Sequence, residues 1–358
     1  MNNQSKATQK KLFSIGIPTY NRCRLLAQSL GSALNQLTTE IEVIICDNAS
    51  SDGTQTYCES LRDPRVRYYR NEKNLGPTSN WRRCLQLAEG EYFSWLQDDD
   101  LIFPDFTLRA RNAMETCGAD AYLATSIQAT EPTMMYRDRL YAPPIAMDWG
   151  STQATQVTND LVIPLSLFCT IAIPPTIAFK TRFLRDIFSA LETPNMFLFS
   201  ERLLIVEAAE RGKTIVAPHI AGIFRLHDQQ THKQVISSEG IEPQWSNFVE
   251  HLSEIANLKQ LNLSTFQNYV ETLPDSILQS FATANYPCNR ETDFYKDSQK
   301  IVKNQFRNRD LENPRSIAPR SLFKKLFSRH LPKKIISIVL PTFYKTPQAE
   351  KQNTTLSK

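Results

Sequence analysis

The sequence lacks several features that would each point to a particular class of protein. Its seven cysteines are scattered and form no Cys-x-x-Cys pair, which argues against a disulfide framework and a zinc site and fits a reducing compartment. Neither Gly-x-Gly-x-x-Gly nor Gly-x-x-x-x-Gly-Lys-Ser/Thr occurs. Their absence disfavours Rossmann dehydrogenases and P-loop NTPases.

Long apolar segments and an excess of charge are also missing. No apolar run approaches the ~20 residues that a membrane-spanning helix needs, and residues 1–11 lack the apolar core of a signal peptide. The formal net charge is only +4 at pH 7, so the chain as a whole does not have the charge of a nucleic-acid binder. We expect a protein that stays in the cytoplasm and has no nucleic-acid partner.

Short β-type segments alternate with segments of helical periodicity in the first third of the chain. Strands are predicted at residues 12–17, 41–46, 66–70 and 92–96, with Pro18 ending the first, and helices follow at 22–37, near 54, at 77–88 and at 104–116. Strands and helices that alternate in this way are typical of a parallel sheet with helices on its faces. The sequence therefore predicts an α/β fold.

Three carboxylates, Asp98, Asp99 and Asp100, directly follow the strand predicted at 92–96. Adjacent negative charges raise one another's pKa unless a positive group answers them. Mg²⁺ is such a group, since it binds one or two carboxylates together with substrate phosphates and water. A solvated acidic loop is the alternative interpretation of the same residues.

Polar residues follow the other predicted strands as well. Ligands of open α/β sheets bind at the carboxyl ends of the strands, and parallel strands bring these ends to one edge. The residues expected at this edge are Thr19, Tyr20, Asp47, Asn48, Asn74 and Asp98–Asp100. Their convergence favours a ligand site, although loops are polar in any protein.

The remainder of the chain is less regular. Residues 120–164 carry few periodic runs and are predicted to form excursions and a flexible segment. Further strands are expected at 176–180, 214–217 and 222–225, and further helices at 183–191 and 199–211. Beyond residue 237, amphipathic periodicity predicts helices at 245–261, 263–273 and 275–284.

Residues 315–334 interleave basic and apolar side chains and contain no acid. A basic amphipathic segment of this kind suits the surface of an anionic membrane. An ordinary helix packed on the domain and a weak RNA-binding patch are the alternatives.

Several ordered stretches carry a resemblance to a known family. They are SIGIPTYNR (14–22), EVIICDNASSDGT (42–54), NEKNLGPTSNWRRCLQLAEGEYFSWLQDDD (71–100), SERLLIVEAAERGK (200–213) and FRLHDQQT (224–231). Over residues 12–233 the chain resembles a family 2 glycosyltransferase with the GT-A fold. The resemblance implies a nucleotide-binding αβα sandwich with a mostly parallel central sheet, which transfers a sugar from a nucleoside diphosphate with inversion.

The resemblance and the periodicity together predict a domain organisation. A flexible leader (1–11) precedes a GT-A domain (12–235), with a nucleotide-binding half (12–116) and an acceptor half (117–235). A helical appendix (236–312), a basic amphipathic segment (313–341) and a disordered tail (342–358) follow.

The resemblance also implies roles for single residues. The nucleotide would lie against Pro18, Thr19, Tyr20, Asn21, Asp47, Asn48, Asn74, Gly76, Asn80 and Asp98. Tyr20 would offer a ring face to the base, Asp47 would accept the base N3–H, and Asp98 would lie near the ribose. Mn²⁺ or Mg²⁺ would be bound at Asp99, with Asp100 and His227 beside it, and Glu201 would be the catalytic carboxylate.

Most of these residues also have a structural interpretation. Asp47 could form a turn or cap a helix, and Glu201 could be an exposed acid that the helix dipole favours in a first turn. His227 could hydrogen-bond a loop carbonyl, and Tyr20 could serve packing alone.

The implied partners are a UDP- or dTDP-linked sugar donor and a glycan or lipid-linked acceptor of surface-polysaccharide assembly. The expected location is cytoplasmic, with peripheral contact to the inner face of the cell membrane through residues 315–334. Two other classes stay open. They are a sugar nucleotidyltransferase, which usually has a glycine-rich basic loop after its first strand, and a non-catalytic scaffold of the same fold.

Overall fold

The computed structural model describes residues 13–130, 135–141, 153–168, 172, 175–188, 197–228, 230, 241–273, 275, 278 and 292–309. The strands are β1 (Phe13–Thr19), β2 (Ile41–Asp47), β3 (Val66–Arg70), β4 (Tyr92–Trp95), β5 (Leu101–Ile102), β6 (Ala121–Thr130), β7 (Met135–Tyr141), β8 (Thr155–Gln156), β9 (Ile177–Lys180) and β10 (Thr214–Leu226). The helices are α1 (Cys23–Leu34), α2 (Thr54–Ser60), α3 (Pro77–Leu87), α4 (Phe106–Cys117), α5 (Asn159–Ser166), α6 (Thr181–Ile187), α7 (Ser200–Arg211), α8 (Glu242–Lys259), α9 (Ser264–Thr272) and α10 (Asp293–Asn308).

The strands form one sheet in the order β3-β2-β1-β4-β9-β6-β10-β5, with β7 beside β6 and β8 beside β10. Strands β1 to β4 are parallel, β6 and β10 are parallel, and β9 joins the two groups in antiparallel orientation. Parallel neighbours need crossover connections, which α1, α2 and α3 supply. The predicted α/β class with a mostly parallel central sheet is confirmed.

Both faces of the sheet are covered by apolar packing. On β1 and β2 every residue is buried, so alternate side chains serve opposite faces. Ile15 and Val43 belong to the core shared with α1, α2 and α4, whereas Ile44 and Trp95 belong to the core shared with α3 and α5–α10. The result is the helix–sheet–helix sandwich that the sequence predicted.

The first strand does not end at Pro18, as predicted, but continues to Thr19, which pairs with Asp47. Residues of a parallel strand point their backbone groups alternately to the two neighbours. Gly16 accepts a hydrogen bond from Leu96, so Pro18 faces the same side, where the pairing with β4 has already stopped at Gly16. The missing N–H of the proline therefore costs no ladder hydrogen bond.

The prediction of a loose segment over 120–164 is wrong for residues 121–130, which form the ten-residue strand β6; residues 131–134 and 142–152 lie outside the described part of the chain. The two strands predicted at 214–217 and 222–225 are one strand, β10, whose pairing with β6 shifts twice in register. Buried polar residues such as Thr125, Ser126 and Gln128 interrupt the apolar pattern of β6. Because of these polar side chains, the sequence of β6 does not show the continuous apolar pattern expected of a central strand.

Helices α8, α9 and α10 pack on the same core as the sheet. Trp245, Phe248, Phe266 and Val302 are fully buried and belong to the core that includes Trp95. The described residues all belong to one compact unit. Of the helix predicted at 275–284, only residues 275 and 278 are described.

Several predicted segments lie outside the described residues. They are the leader 1–11, the basic segment 313–341 and the tail 342–358, so the predicted domain limits stay a prediction. In the described part of the chain, no helix combines the length and the apolar character that crossing a membrane requires.

Candidate active site at the carboxyl ends of the strands

The carboxyl ends of β1, β2 and β4 lie side by side, as the strand order requires. Thr19, at the end of β1, donates a hydrogen bond from Oγ1 to Asp98 Oδ2 at 2.7 Å. Its carbonyl accepts one from the backbone of Asn48 at 2.9 Å. Thr19 therefore links the loop after β2 to the acids after β4, which is the convergence expected from the sequence.

The acidic cluster, which we define as Asp98, Asp99 and Asp100, is buried, with 3%, 8% and 0% of these residues exposed. Arg22 Nη1 lies 2.9 Å from both Asp98 Oδ1 and Asp99 Oδ2. His227 Nε2 lies 3.0 Å from Asp99 Oδ2. The solvated acidic loop that remained open from the sequence does not fit this burial.

The three acids differ in their tendency to ionise. Burial, together with the charge on Asp99, raises the pKa of Asp98 to about 6, although Arg22 opposes the shift. Burial also works against ionisation of Asp99, but the hydrogen bond from His227 and the charge of Arg22 hold its pKa below the usual value. Burial and the neighbouring charge raise the pKa of Asp100 well above its usual value. Asp99 is therefore the group best prepared to bind a cation.

Arg225, near the end of β10, holds the acidic cluster in place, and sequence analysis missed it. The residue is fully buried. Its backbone N–H donates to Asp100 Oδ1 at 2.9 Å, and its guanidinium donates to the Asp99 carbonyl, to Gln28 Oε1 and, at 3.1 Å, to Ser29 Oγ. The one available signal was an arginine within the apolar run Ile223–Leu226.

Ser29 on α1 is a second residue that sequence analysis missed. Its hydroxyl group lies 2.9 Å from the Asp98 carbonyl and 2.6 Å from the Asp100 carbonyl. The acidic cluster is thereby tied to a helix as well as to two strands. Nothing in the local sequence distinguishes this serine from others on α1.

Asp47, at the end of β2, has a complete set of partners. Its Oδ1 accepts the Ser50 N–H at 2.8 Å, and its Oδ2 accepts from the Tyr68 hydroxyl and from Arg70 Nη1, each at 2.8 Å. The pKa of Tyr68 is raised, first by burial and then by Asp47. We call these four residues the Asp47 site. The turn that the sequence left open as an alternative is present, and the contact with Arg70 and Tyr68 was not foreseen.

A network of asparagine amides supports the loop after β2. Asn48 donates to Asn74 Oδ1 at 2.7 Å and to the Gly76 carbonyl at 3.3 Å. Asn71 connects Asn48 to Asn80, whose amide donates to the Cys46 carbonyl at 2.8 Å. Gly76 has φ = +81°, a backbone conformation that favours glycine. The structure thus brings Asn48, Asn74, Gly76 and Asn80 together.

The segment after β1 turns sharply toward the same edge. Asn21 has φ = +53°, and its Oδ1 accepts the Ser51 N–H at 2.7 Å. Tyr20 is 46% exposed, so packing against the protein does not bury the whole residue. Pro18 lies within β1, directly before Thr19.

Glu201 is half-buried in the first turn of α7. Burial raises the pKa of its carboxyl group, which is the direction a general base working near neutral pH requires. Among the described residues, no hydrogen bond or ion pair joins Glu201 to the acidic cluster. Its role stays a prediction.

The donor set partly fits a divalent cation. Within the described residues, no group of three His, Cys, Asp or Glu side chains is arranged to hold a metal. Asp99 Oδ2 and His227 Nε2 are 3.0 Å apart, about the separation of adjacent ligands on an octahedral ion with bonds of about 2.1 Å. Asp100 Oδ2 is buried without a hydrogen-bond partner. Two protein ligands completed by phosphate oxygens suit Mg²⁺ or Mn²⁺.

Comparison with known proteins agrees with this geometry. Residues 14–163 match the family model described as glycosyl transferase family 2. The chain is similar to a putative colanic acid biosynthesis glycosyl transferase of Escherichia coli, with 37% identity over 96 residues, covering 26% of this chain and 34% of that protein. It is also similar to the abequosyltransferase of Salmonella typhimurium, with 37% identity over 117 residues, covering 31% and 35% of the two chains.

A third relative is a GalNAc(5)-diNAcBac-PP-undecaprenol beta-1,3-glucosyltransferase of Campylobacter jejuni, with 37% identity over 90 residues, covering 24% of this chain and 29% of that protein. The matched segments span only about a third of these relatives. Among solved structures, S. aureus TarS 1–349 in complex with UDP-GlcNAc covers 83% of this chain and 92% of its own, with a TM-score of 0.52 and 17% identity. Residues 14–163 therefore belong to glycosyl transferase family 2, on a fold of the GT-A type.

Proposed function

We propose that the protein transfers a sugar from a UDP- or dTDP-linked donor to a hydroxyl group of a glycan or lipid-linked acceptor, with inversion at the anomeric carbon. The observation that carries the proposal is the acidic cluster, in which an ionised Asp99 lies beside His227 while Thr19 joins Asp98 to the end of β1. The family 2 domain supports the assignment to glycosyl transfer.

In this proposal the donor lies along the edge formed by β1, β2 and β4. The ring of Tyr20 stacks on the base, which the exposed position of this residue permits. Asp47 has acceptor oxygens at the end of β2, where the base N3–H can reach them once the Tyr68 or Arg70 side chain moves away from Oδ2. Asp98, held by Thr19 Oγ1, accepts from the ribose hydroxyls.

Asp99, Asp100 and His227 would hold Mn²⁺ or Mg²⁺. When bound, the cation neutralises the diphosphate and stabilises the negative charge of the leaving group. Arg225 and Ser29 keep the backbone of the acidic cluster fixed. Because little reorganisation is then needed when charge develops, a fixed cluster is an effective catalyst.

Glu201 is the proposed base. Its raised pKa strengthens its affinity for the acceptor proton, which it takes as the hydroxyl oxygen attacks the anomeric carbon from the face opposite the diphosphate. Attack from that face inverts the configuration. The name of the Campylobacter jejuni relative includes a PP-undecaprenol group, which supports a lipid-linked acceptor here.

Calorimetry with UDP and dTDP, each with and without Mn²⁺, tests donor binding, and a panel of nucleotide sugars scored for release of the nucleoside diphosphate tests transfer. Tight nucleotide binding that requires Mn²⁺, together with slow donor hydrolysis, is the expected result. Absence of metal-dependent nucleotide binding would favour a non-catalytic scaffold. Release of pyrophosphate from a nucleoside triphosphate and a sugar phosphate would favour a nucleotidyltransferase instead.

We further propose peripheral contact with an anionic membrane through residues 315–334, which supports a location on the inner face of the cell membrane. The basis is the run of basic and apolar residues without an acid. Co-sedimentation of the full chain with phosphatidylglycerol vesicles, compared with phosphatidylcholine vesicles, measures the contact. Replacing Lys324 and Lys325 by Glu should weaken it, and equal binding to both lipids would exclude it.

A further inference from the structure

Arg22 has an unusual position for a residue directly before a helix. Its side chain is only 13% exposed, and a single guanidinium nitrogen, Nη1, lies 2.9 Å from Asp98 Oδ1 and 2.9 Å from Asp99 Oδ2. The positive charge therefore lies between the two carboxylates that the proposed donor and cation need. Arg22 follows directly after the PTYN segment that ends β1, so its backbone is fixed beside the site.

A divalent cation bound to Asp99 Oδ2 would compete with the guanidinium for that oxygen. The cation would lie about 2.1 Å from the oxygen, Arg22 Nη1 lies 2.9 Å from it, and the two positive charges would repel each other. We therefore expect Arg22 to leave when a cation binds Asp99. Its displacement breaks two charge-assisted hydrogen bonds and costs free energy, unless another anion receives the guanidinium.

The diphosphate of the donor is the anion that arrives together with the cation. Guanidinium groups bind phosphate oxygens through paired N–H donors. The Arg22 side chain lies beside Asp98 and Asp99, where the proposed diphosphate would arrive with its cation. The diphosphate would then offset the free-energy cost of displacing Arg22 when the cation binds. The cation would in turn release the Arg22 side chain for the diphosphate. Such mutual relief is a coupling free energy, and it must be reciprocal.

We propose that Arg22 makes the binding of the divalent cation and the nucleoside diphosphate cooperative, by pairing with Asp99, one of the proposed cation ligands, until the diphosphate accepts its charge. This inference rests on the proposed function, since it needs a nucleoside diphosphate and a cation at this edge. A purely structural Arg22 would stabilise the acidic cluster without linking the two ligands.

The test measures Mn²⁺ affinity from the free Mn²⁺ signal in electron paramagnetic resonance, with and without UDP or dTDP. The wild-type protein should bind Mn²⁺ weakly alone and at least about 10-fold more tightly with the nucleotide. Arg22→Gln should bind Mn²⁺ more tightly than wild type in the absence of nucleotide, and its gain from the nucleotide should fall to about 2-fold. Arg24→Gln removes a charge from an exposed residue two positions away and should keep the wild-type gain.

Arg22→Lys is the second variant, because it keeps the charge that supports the fold. One ammonium group lacks the paired donors of a guanidinium, so a gain between those of wild type and Arg22→Gln is expected. Thermal unfolding of each variant checks that the fold is intact. The Mn²⁺ affinities with and without nucleotide are equilibrium quantities and do not depend on turnover.

The outcomes separate this inference from the proposed function. If nucleotide and Mn²⁺ bind cooperatively and Arg22→Gln and Arg22→Lys keep the wild-type gain, Arg22 is structural and the inference is wrong, while the proposed function stands. If neither UDP nor dTDP binds the wild-type protein with Mn²⁺ present, both are wrong. Loss of the gain in Arg24→Gln as well would assign the effect to general electrostatics and overturn the role of Arg22.

Discussion

The Asp47 site and the acidic cluster both follow buried strands, yet their charges are balanced in opposite ways. Asp47 is one carboxylate with an arginine, a tyrosine hydroxyl and a backbone N–H as partners. The acidic cluster has three carboxylates, of which Asp98 and Asp100 have raised pKa values and Asp100 keeps an oxygen without a hydrogen bond. Asp47 is locally satisfied, whereas the acidic cluster crowds three buried carboxyl groups beside two arginines, Arg22 and Arg225.

This difference indicates which site is prepared for a cation and which for a neutral ligand. A carboxylate with a complete set of partners can exchange one hydrogen bond for another, such as one from a base N–H. Three crowded carboxyl groups gain most from a cation, because an added positive charge favours their ionised forms and relieves repulsion among them. Substitutions at the two sites should therefore differ in what they change.

The largest expected effect is that of Asp99→Asn on turnover. The substitution keeps the shape and removes the charge that faces His227 and Arg22, so kcat should fall by about 10³-fold while the protein still folds. Asp105→Asn is the matched control, since Asp105 forms an ion pair with the exposed Arg109 one helical turn away. Metal-dependent transfer at the wild-type rate in Asp99→Asn would exclude Asp99 from the proposed role.

Replacing Arg225 by Met should have the largest effect on stability. The variant removes a fully buried guanidinium and leaves the Asp99 carbonyl and Gln28 Oε1 without its hydrogen bonds, and each buried polar group left unpaired costs about 1 to 3 kcal/mol. Chemical denaturation measures the loss. Arg109→Met, which removes an arginine from an exposed pair, should cost less than about 1 kcal/mol. Equal losses in the two variants would contradict the role of Arg225.

Asp47→Asn should have a moderate effect on both stability and nucleotide affinity. It weakens the hydrogen bonds from Arg70 and Tyr68, and we expect a loss of about 2 kcal/mol in the free energy of unfolding. UDP should bind more weakly, but the dependence of its binding on Mn²⁺ should remain. Asp63→Asn breaks a similar ion pair with Arg65, whose members are 28% exposed, and should leave UDP affinity unchanged. A loss of Mn²⁺ dependence in Asp47→Asn would remove the distinction between the two sites.

The smallest expected effect is on the pH dependence of stability. The pKa of Asp98 is raised to about 6, whereas an aspartate in an unfolded chain titrates near 3.9. Between these values the folded protein retains a proton that the unfolded chain releases, so the free energy of unfolding falls as the pH rises from about 4 to about 6. Asp98→Asn cannot titrate, and this fall should be smaller in the variant when unfolding is measured without divalent ions.

Asp63→Asn is the control for this prediction, because the pKa of Asp63 is shifted in the opposite direction to that of Asp98. The hydrogen bond from Arg65 holds the pKa of Asp63 below its usual value, so the stability that Asp63 contributes is present above about pH 4 and lost as the pH falls further. The variant should lose part of the acid destabilisation below pH 4 and keep the wild-type slope between 4 and 6. Identical slopes in Asp98→Asn and wild type would contradict the raised pKa.

Much of the fold and of the strand-end arrangement could be predicted from the sequence. The first four strands are short apolar runs separated by helices, and a parallel sheet follows from that alternation. The approach of Thr19 to Asp98 follows from adjacent parallel strands. In contrast, β6 was missed because its buried polar side chains resemble a loop pattern. Register shifts in β10 also have no local signal.

The missed residues at the site share one property, which is that their role depends on distant partners. Arg225 and Ser29 contact the acidic cluster from β10 and α1, and Arg70 reaches Asp47 from the next strand. The local sequence around these arginine and serine residues does not distinguish them from others of the same type. Only the three-dimensional structure shows which acidic residue each of them contacts.

The contacts of Arg225 also set an order of events during synthesis. Its guanidinium binds Gln28 and Ser29, which lie 197 and 196 positions earlier in the chain. A nascent chain that has emerged only as far as α4 can pair β1 to β4, but its three acids have no buried arginine to order them. Because contacts at such sequence separation form late, the capacity to bind a donor should appear only after β10 has joined the sheet. Ribosome-bound chains stopped before and after residue 226 would thus differ in nucleotide binding more than in strand content.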